Sequence, residues 1–412
     1  MTTNRTLFPA SRPSALAHWE HFLPRLAEYA SQRNYIEEGH PNVSRLSPAI
    51  RCRSITEEEM VRNLRERFPF STVEKFVQEL LWRSYWKAWL ETHPEVWTDY
   101  KRQFASASHT LLPEQTRRIR AIQMADSGIA VIDRFTRELL ETGYLHNHAR
   151  MWWASYWIHV EKLPWPLGAD FFYRHLLDGD AASNTLSWRW VAGLQTRGKP
   201  YLVRRSNIEK YLSPGLLDVR GLDQLADARV EAVKLDDHRE FPFSLVPHPD
   251  LARTLDGKRW GLWLHEEDLS PEGWGLSGTA PVSICGFTAF GDDPMNKPEL
   301  LRADYLRASL HDGTTRAATY WNLRADQVEL IDNPSPAMSL AEWAERLNLE
   351  VIALSRPGVG FLRDQLPEVE AHLKEQGIGL VTIARRWDEN LCSYARRGFF
   401  AFWNETKPRL IW

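Results

Sequence analysis

The chain has 412 residues, of which 43% are hydrophobic and 25% are charged, which indicates a globular protein of two or three domains. The net charge of −3 conceals an asymmetry: residues 1–220 carry 30 Lys and Arg against 24 Asp and Glu, and the remainder carries 21 against 30. The first half therefore has the more suitable surface for a polyanion. No run of eighteen apolar residues occurs, which argues against a membrane span.

The three cysteines, Cys52, Cys285 and Cys392, are too few and too scattered for a disulfide framework, a zinc site or an iron–sulfur site. The first residues, MTTNRTLFPASRPS, lack the apolar segment of a secretion signal. We therefore expect a cytoplasmic protein without a bound metal.

The first half of the chain reads as helical throughout. Residues 15–32 and 72–91 have helical apolar spacing, and residues 114–195 alternate helical segments with short turns. Thr56, with Glu59 three residues later, predicts a capping box at the start of another helix. No convincing strand is found before residue 228.

The spacing of hydrophobic residues changes in the second half of the chain. After a connector rich in Pro, Gly and charge, five short segments have the pattern of strands, within 261–268, 283–290, 327–332, 350–356 and 379–386. Helical patterns lie between the later strands, and one helix is predicted over 390–403. Strands that alternate with helices indicate a parallel sheet covered by helices. The loop at 355–361 contains two glycines but lacks a phosphate-binding fingerprint, so a plain strand-to-helix turn is predicted.

The most informative stretch is residues 142–190. It contains six tryptophans together with polar residues that an apolar core would not hold unpaired, namely Asn147, Arg150, Asp178, Asp180 and Asn184. A flavin site needs both kinds of residue. It uses carboxylate and amide groups at the ring edge, an arginine near the reduced ring and aromatic side chains that carry an electron.

Several motifs resemble the flavin-binding domain of the photolyase/cryptochrome family. They are SRLSP at 44–48, ELLWRSYW at 79–86, DSGIAVID at 126–133, TGYLHNHARM at 142–151 and DGDAASNTLSWRW at 178–190, preceded by Tyr29 and Arg33. The resemblance covers about residues 15–212. It implies an all-α FAD-binding domain at 1–220, a connector at 221–259 and a smaller α/β, Rossmann-like domain with a mostly parallel sheet at 260–412. In the family an α/β antenna domain precedes the flavin domain, so the order here looks permuted.

The resemblance implies roles for individual residues around FAD. Those that match cofactor-binding positions are Tyr29, Ser44, Arg45, Leu46, Ser47, Phe76, Glu79, Arg83, Asn147, Arg150, Asp178, Asp180 and Asn184. Tyr29, Ser44, Leu46 and Ser47 would hold the phosphates and ribitol, as anion-binding loops do. Arg150 paired with Asp178 would place a cation beside the ring and favour its anionic reduced form. Asn184 matches the position that faces the flavin N5, where photolyases carry asparagine.

The resemblance also extends to the substrate. Residues at positions that contact a cyclobutane pyrimidine dimer are Glu79, Trp82, Asn147, Met151 and Trp190. Trp188 and Trp165 match the first two members of an electron-transfer chain, and with Glu79 and Asn184 they form the implied catalytic set. The third tryptophan is missing, since its position falls near Leu112. Trp86, Trp89, Trp153 and Trp157 remain as candidates.

Some features depart from the family or have plainer interpretations. Ala49 and Arg53 replace a tyrosine and a glycine of the family loop, and Arg53 would either bind phosphate or block a close approach. Asp180 is also explained by helix capping, and Glu79 with Arg83 by a surface ion pair. His146 and His148 are interpreted as packing or surface histidines rather than as proton donors.

The lead hypothesis is therefore a light-driven DNA-repair flavoprotein that acts on UV-damaged DNA, with a second antenna chromophore left open. One alternative is a cryptochrome-like blue-light photoreceptor that binds a protein partner. The other is a FAD-binding relic in which light has no effect.

Overall fold

The structure is a computed structural model, and it describes residues 8–410 except 197, 228–254, 277–278, 289, 291–293 and 332–334. Most of the predicted connector at 221–259 lies outside the described residues. The chain divides into two compact units. The first contains 1–21, 46–92 and 243–412, and the second contains 22–45 and 93–242. This division crosses the predicted boundaries, because residues 46–92 group with the C-terminal part of the chain.

The second unit is helical, as predicted. Its helices are α2 (Leu26–Gln32), α6 (Glu95–Thr110), α7 (Pro113–Gln123), α8 (Ala130–Thr142), α9 (Asn147–Ser155), α10 (Trp165–His175), α11 (Ala181–Val191) and α12 (Arg205–Tyr211). A π-helical turn, Tyr156–Val160, continues α9. Gly143 ends α8 in the left-handed conformation, with φ 68°. The short loop after Gly143 leads into α9.

The helices of the first unit are α1 (Arg12–Phe22), α3 (Ser47–Arg51), α4 (Glu57–Arg67), α5 (Phe70–Thr92), α13 (Leu300–Tyr320), α14 (Pro336–Arg346), α15 (Phe361–Glu375), α16 (Arg386–Cys392) and α17 (Phe399–Thr406). Thr56 caps α4 by accepting a hydrogen bond from the Glu59 N–H at 3.2 Å. The cap is therefore confirmed, although the Glu59 carboxylate pairs with Arg12. None of the helices in the described part of the chain combines the length and apolar character needed to span a bilayer.

Two helix predictions were wrong in detail. The pattern over 15–32 is divided into α1 and α2 by a 3₁₀ turn, Leu23–Arg25, in which Pro24 lacks the N–H that a continuous helix needs. The pattern over 390–403 is divided into α16 and α17, because the chain turns at 393–398 and Gly398 starts a new helix from an extended conformation.

The first unit contains a five-stranded parallel sheet of order β3-β2-β1-β4-β5, as the alternating pattern predicted. Its strands are β1 (Trp260–Leu264), β2 (Ser283–Phe287), β3 (Val328–Ile331), β4 (Val351–Ser355) and β5 (Gly379–Ile383). On β1, Leu262 pairs with Ile284 on one side and with Ala353 on the other. The sheet is doubly wound, with β1 at the centre.

The two faces of the sheet are covered by different helices. Trp263, Phe287 and Ile352 form a buried core with α14 and α15 on one face. Gly261 is required there, because a Cβ would lie 2.3 Å from the Trp343 ring. The other face packs on α13, where Gly286 leaves room for Thr314, whose methyl group would lie 2.6 Å from a Cβ.

Candidate functional site

Arg150 is fixed by three hydrogen bonds within the second unit. Its Nη1 and Nη2 donate to the two carboxylate oxygens of Asp178 at 3.0 and 2.8 Å, and its Nε donates to the Leu145 carbonyl at 2.8 Å. Asp178 is 7% exposed and the Arg150 side chain 24%. Burial lowers the pKa of Arg150, but the Asp178 carboxylate outweighs it and the net pKa is raised. The pairing predicted from the sequence is confirmed, and it holds a cation in place.

The start of α11 presents polar groups next to Asp178. Asp180 is the N-cap and accepts a hydrogen bond from the Ser183 N–H at 2.8 Å, so the capping interpretation of this residue is correct. Asn184 is 9% exposed and donates its amide to the Ala169 carbonyl at 2.8 Å. The Ser183 hydroxyl is buried and finds no hydrogen-bond partner in the described residues. Such an unpaired group is expected where a polar ligand completes the site.

Arg45 supplies a second cation whose charge is not neutralised. It lies half-buried, and among the described residues no carboxylate pairs with it. Its pKa is lowered chiefly by burial and further by the nearby Arg25, while Tyr144 acts in the opposite direction. Its φ of 53° places it in a left-handed turn directly after Ser44. A phosphate would relieve the unfavourable desolvation of this guanidinium, so the residues of this unit fit FAD at the phosphate side and the ring side.

A buried histidine pair was not found by the sequence analysis. His40 and His146 stack with ring centroids 5.8 Å apart, and His40 Nε2 hydrogen-bonds to Glu138. His146 caps α9 through Nδ1, which accepts from the His148 N–H, while Nε2 lies 3.0 Å from the Arg33 carbonyl. Burial, followed by His40 and His148, lowers the pKa of His146 to about 3. His146 is thus a neutral packing residue, as predicted.

The remaining sequence-predicted residues of the second unit are partly exposed. Asn147 is exposed at the first position of α9, and its amide lies 3.7 Å from the Met151 sulfur. Trp190 is half-buried and stacks on Tyr201 at 5.6 Å. Tyr29 is half-buried with its ring edge-on to Phe22. Three of the predicted dimer contacts therefore keep exposed surface.

Trp188 belongs to a cluster of buried rings. Its centroid lies 6.0 Å from that of Trp153, which stacks on Trp157 at 5.2 Å with 18° between the planes. Trp165 instead packs on Tyr100 at 5.4 Å and donates to Gln103. Of the four candidates for the missing third tryptophan, Trp153 and Trp157 therefore have the ring contacts that link them to Trp188.

In the first unit, the predicted site residues lie on α3 and α5. Leu46 is fully buried at the start of α3, followed by the half-buried Ser47. Phe76 is buried against Trp19 at 5.3 Å, which is a core contact. Glu79 contacts Lys75 Nζ at 2.9 Å.

Two side chains of α5 have partners that the sequence did not predict. Arg83 donates to the buried Glu57 at 2.6 Å. The ring of Trp82 is stacked face to face on Phe399 of α17, with centroids 3.6 Å apart and 9° between the planes. One face of this predicted dimer-stacking residue is thus covered by the chain itself.

Arg53 does not have the phosphate role that one interpretation gave it. Its guanidinium contacts Asp388 at 2.6 Å, Asp268 at 3.3 Å and Glu57 at 3.6 Å, and it is 4% exposed. Asp268 also accepts two hydrogen bonds from Arg385. Burial opposes the charge on Arg53, but these carboxylates raise its pKa well above the ordinary value. Arg53 is a buried structural cation of the first unit.

Comparisons with known proteins identify the helical segment. Residues 76–214 match the family model described as the FAD binding domain of DNA photolyase. The deoxyribodipyrimidine photo-lyase of Streptomyces griseus is 32% identical over 170 residues, which cover 40% of this chain and 36% of the relative. The enzyme of the same name from Escherichia coli K12 is 27% identical over 208 residues, which cover 47% and 42%. The chain thus spans less than half the length of these relatives.

Two solved structures are also similar. A cryptochrome of Synechocystis sp. PCC6803 aligns with a TM-score of 0.43 and 21% identity, over 49% of this chain and 43% of that one. A class III photolyase of Agrobacterium tumefaciens aligns with a TM-score of 0.42 and 25% identity, over 49% and 42%.

Proposed function

We propose that this chain uses light to repair cyclobutane pyrimidine dimers in DNA. It belongs to the photolyase/cryptochrome family through its FAD-binding domain at residues 76–214. The observation that carries the proposal is the Arg150–Asp178 pair, a fixed cation in a domain whose cofactor is FAD. When bound, reduced FAD would supply the photochemistry, a light-driven electron transfer that splits the dimer with no net redox change.

The residues of the second unit hold and tune the cofactor. Arg150 provides positive charge at the ring edge, and Asp178 keeps its guanidinium in one orientation through two parallel hydrogen bonds. Asn184 would contact the ring, and the Ala169 carbonyl fixes the orientation of its amide. Arg45 and Ser44 bind the phosphates. Each of these groups is positioned before the cofactor arrives, which reduces the cost of ordering on binding.

The resemblance to photolyases assigns five residues to the lesion. Photolyase-type chemistry requires the two joined pyrimidines of one strand to leave the duplex, and these displaced bases are then read by stacking and by hydrogen bonds to their polar edges. Trp82 and Trp190 supply aromatic surface, and Glu79 supplies a carboxyl group for a base carbonyl. Asn147 and Met151 add a polar and a soft apolar contact from the first turn of α9.

The proposal is tested by dark binding to two labelled 15-mer duplexes that differ only in one thymine dimer. We expect the dimer-bearing duplex to bind more tightly and Glu79→Gln to reduce that preference. Glu74→Gln is the matched control, since Glu74 lies on the same helix and pairs with Lys407. Equal affinity of the FAD-loaded wild type for both duplexes would contradict dimer repair.

A cryptochrome-like photoreceptor is the second candidate, and one observation favours it. Phe399 covers one face of Trp82, which leaves less aromatic surface for a lesion than two free faces would. A receptor would be reduced by light through Trp188 and would signal to a protein partner. It would show equal affinity for damaged and undamaged DNA in the same binding experiment.

A further inference from the structure

The segment that joins α16 to α17 is held against α5. Phe399 stacks on Trp82, and the Tyr85 hydroxyl donates a hydrogen bond to the Arg397 carbonyl at 2.9 Å. Tyr85 is itself buried, and its ring packs edge-on to Phe399 at 5.6 Å. The contacts made by Trp82 and Tyr85 of α5 therefore fix the backbone of this turn beside Trp82.

The side chains next to these anchors point to solvent. Phe400 is 66% exposed, and among the described residues it is the single phenylalanine with most of its surface exposed. Arg396 and Arg397 are exposed immediately before Gly398. A lone exposed apolar residue needs no explanation. Surfaces that bind nucleic acids combine apolar or aromatic side chains with arginines. Phe400, Arg396 and Arg397 form such a combination beside Trp82, which is assigned to the lesion.

The local charge suits a polyanion. Residues 386–409 contain five Lys and Arg and three Asp and Glu. One of these acids, Asp388, is bound to the buried Arg53 at 2.6 Å and so contributes little negative charge to the surface. The turn therefore presents net positive charge, although the chain as a whole is slightly acidic.

We propose that Arg396–Phe400 is a DNA-contact element contributed by the C-terminal part of the chain. The two arginines bind backbone phosphates, and Phe400 packs against the base stack at the step from which the lesion is displaced. An apolar wedge at such a step compensates part of the stacking that is lost on displacement. This inference rests on the proposed function and extends it to residues outside the matched domain at 76–214.

The test is fluorescence anisotropy with FAD-loaded protein and the dimer-bearing 15-mer, repeated at several salt concentrations. Phe400→Ala should weaken binding by about fivefold or more, because removal of one aromatic–base stack has that effect. Arg396→Gln combined with Arg397→Gln should lower the slope of log affinity against log salt by about two. Tyr320→Ala, an aromatic residue 51% exposed on α13, and Arg324→Gln are the matched controls and should bind as wild type does.

The outcomes separate this inference from the proposed function. Wild-type affinity in both the Phe400 and the arginine variants, with normal flavin absorbance and repair, would overturn the contact element and leave dimer repair standing. A wild-type protein that prefers undamaged DNA or binds neither duplex would overturn both.

Discussion

The guanidinium of Arg150 and the carboxylate of Asp178 lie in a two-point pairing, with nitrogen–oxygen distances of 3.0 and 2.8 Å, although 28 residues separate them in the sequence. Asp178→Asn removes the negative charge but keeps the shape. We expect roughly tenfold weaker FAD binding, since a hydrogen bond to a charged group contributes about 1.5 kcal/mol or more. The ratio of flavin to protein absorbance after purification measures this loss.

The control for that variant is Asp218→Asn. Asp218 pairs with Arg220 in the same unit, but on the surface, so its loss should leave flavin content unchanged. Equal flavin content in Asp178→Asn and wild type would show that the pair does not support the cofactor.

The second prediction concerns His146 and acid stability. Its pKa is about 3 in the folded protein, mainly because of burial, against about 6.5 when unfolded. Because the folded pKa is depressed, the unfolded state binds the extra proton as the pH falls below 6.5, and stability is lost. The loss reaches about 2 kcal/mol at pH 5. Urea unfolding at pH 7 and pH 5 should show a smaller decrease for His146→Asn than for wild type.

His175, with a pKa of about 4, and His159 are shifted in the same direction by burial and remain in the variant. His146→Asn should therefore retain part of the decrease. An identical decrease in wild type and His146→Asn would contradict the neutral state of the buried ring.

The third prediction tests the carboxylates around Arg53. Asp268 is 3% exposed, and despite burial the charges of Arg385 and Arg53 hold its pKa far below the ordinary value. Asp268→Asn leaves two buried arginines with one partner fewer and should reduce the free energy of unfolding by about 3–5 kcal/mol at pH 7. Because the folded pKa is depressed, the difference between wild type and variant should shrink only below pH about 4.

Denaturant unfolding of both proteins at pH 7 and pH 3.5 gives this comparison. Asp304→Asn, which breaks an exposed pair with Arg307 on α13, is the control and should unfold as wild type does. A difference that persists unchanged at pH 3.5 would mean that Asp268 is not the titrating group.

The fourth prediction concerns light-driven reduction of oxidised flavin. Trp153 lies against Trp188 at 6.0 Å and stacks on Trp157 at 5.2 Å, so it is placed to carry the electron between them. Trp153→Phe retains an aromatic ring but removes the readily oxidised indole, and photoreduction should slow markedly. Trp152→Phe is the control, since Trp152 is equally buried in the same helix. Equal photoreduction rates in the two variants would exclude this route.

The sequence predicted the helices around the flavin motifs and the parallel sheet because both depend on local periodicity. The Arg150–Asp178 pair was also predictable, because both residues lie in motifs that resemble those of the photolyase/cryptochrome family. The prediction of a strand-to-helix turn at 355–361 was correct as well. In this turn the Gly358 N–H donates a hydrogen bond to the Glu267 carboxylate at 2.9 Å.

Contacts between distant segments were not predictable. Nothing local marks Phe399 as the ring that covers Trp82, because the two residues are 317 positions apart and each has an ordinary helical neighbourhood. Arg53 shows the same limit: its buried position follows from Asp268, in a loop, and Asp388, in α16, and both are more than 200 residues away. His40 and Glu138 are a further instance.

The central claim is that this chain uses light and FAD to reverse pyrimidine dimers. The most direct measurement is chromatographic quantification of a thymine-dimer oligonucleotide after blue-light irradiation with fully reduced, FAD-loaded protein, against a dark sample. We predict that light converts the dimer to two intact thymines over many turnovers per protein, and that the dark sample remains unchanged. Undiminished dimer after irradiation of the reduced, FAD-loaded protein would contradict the claim.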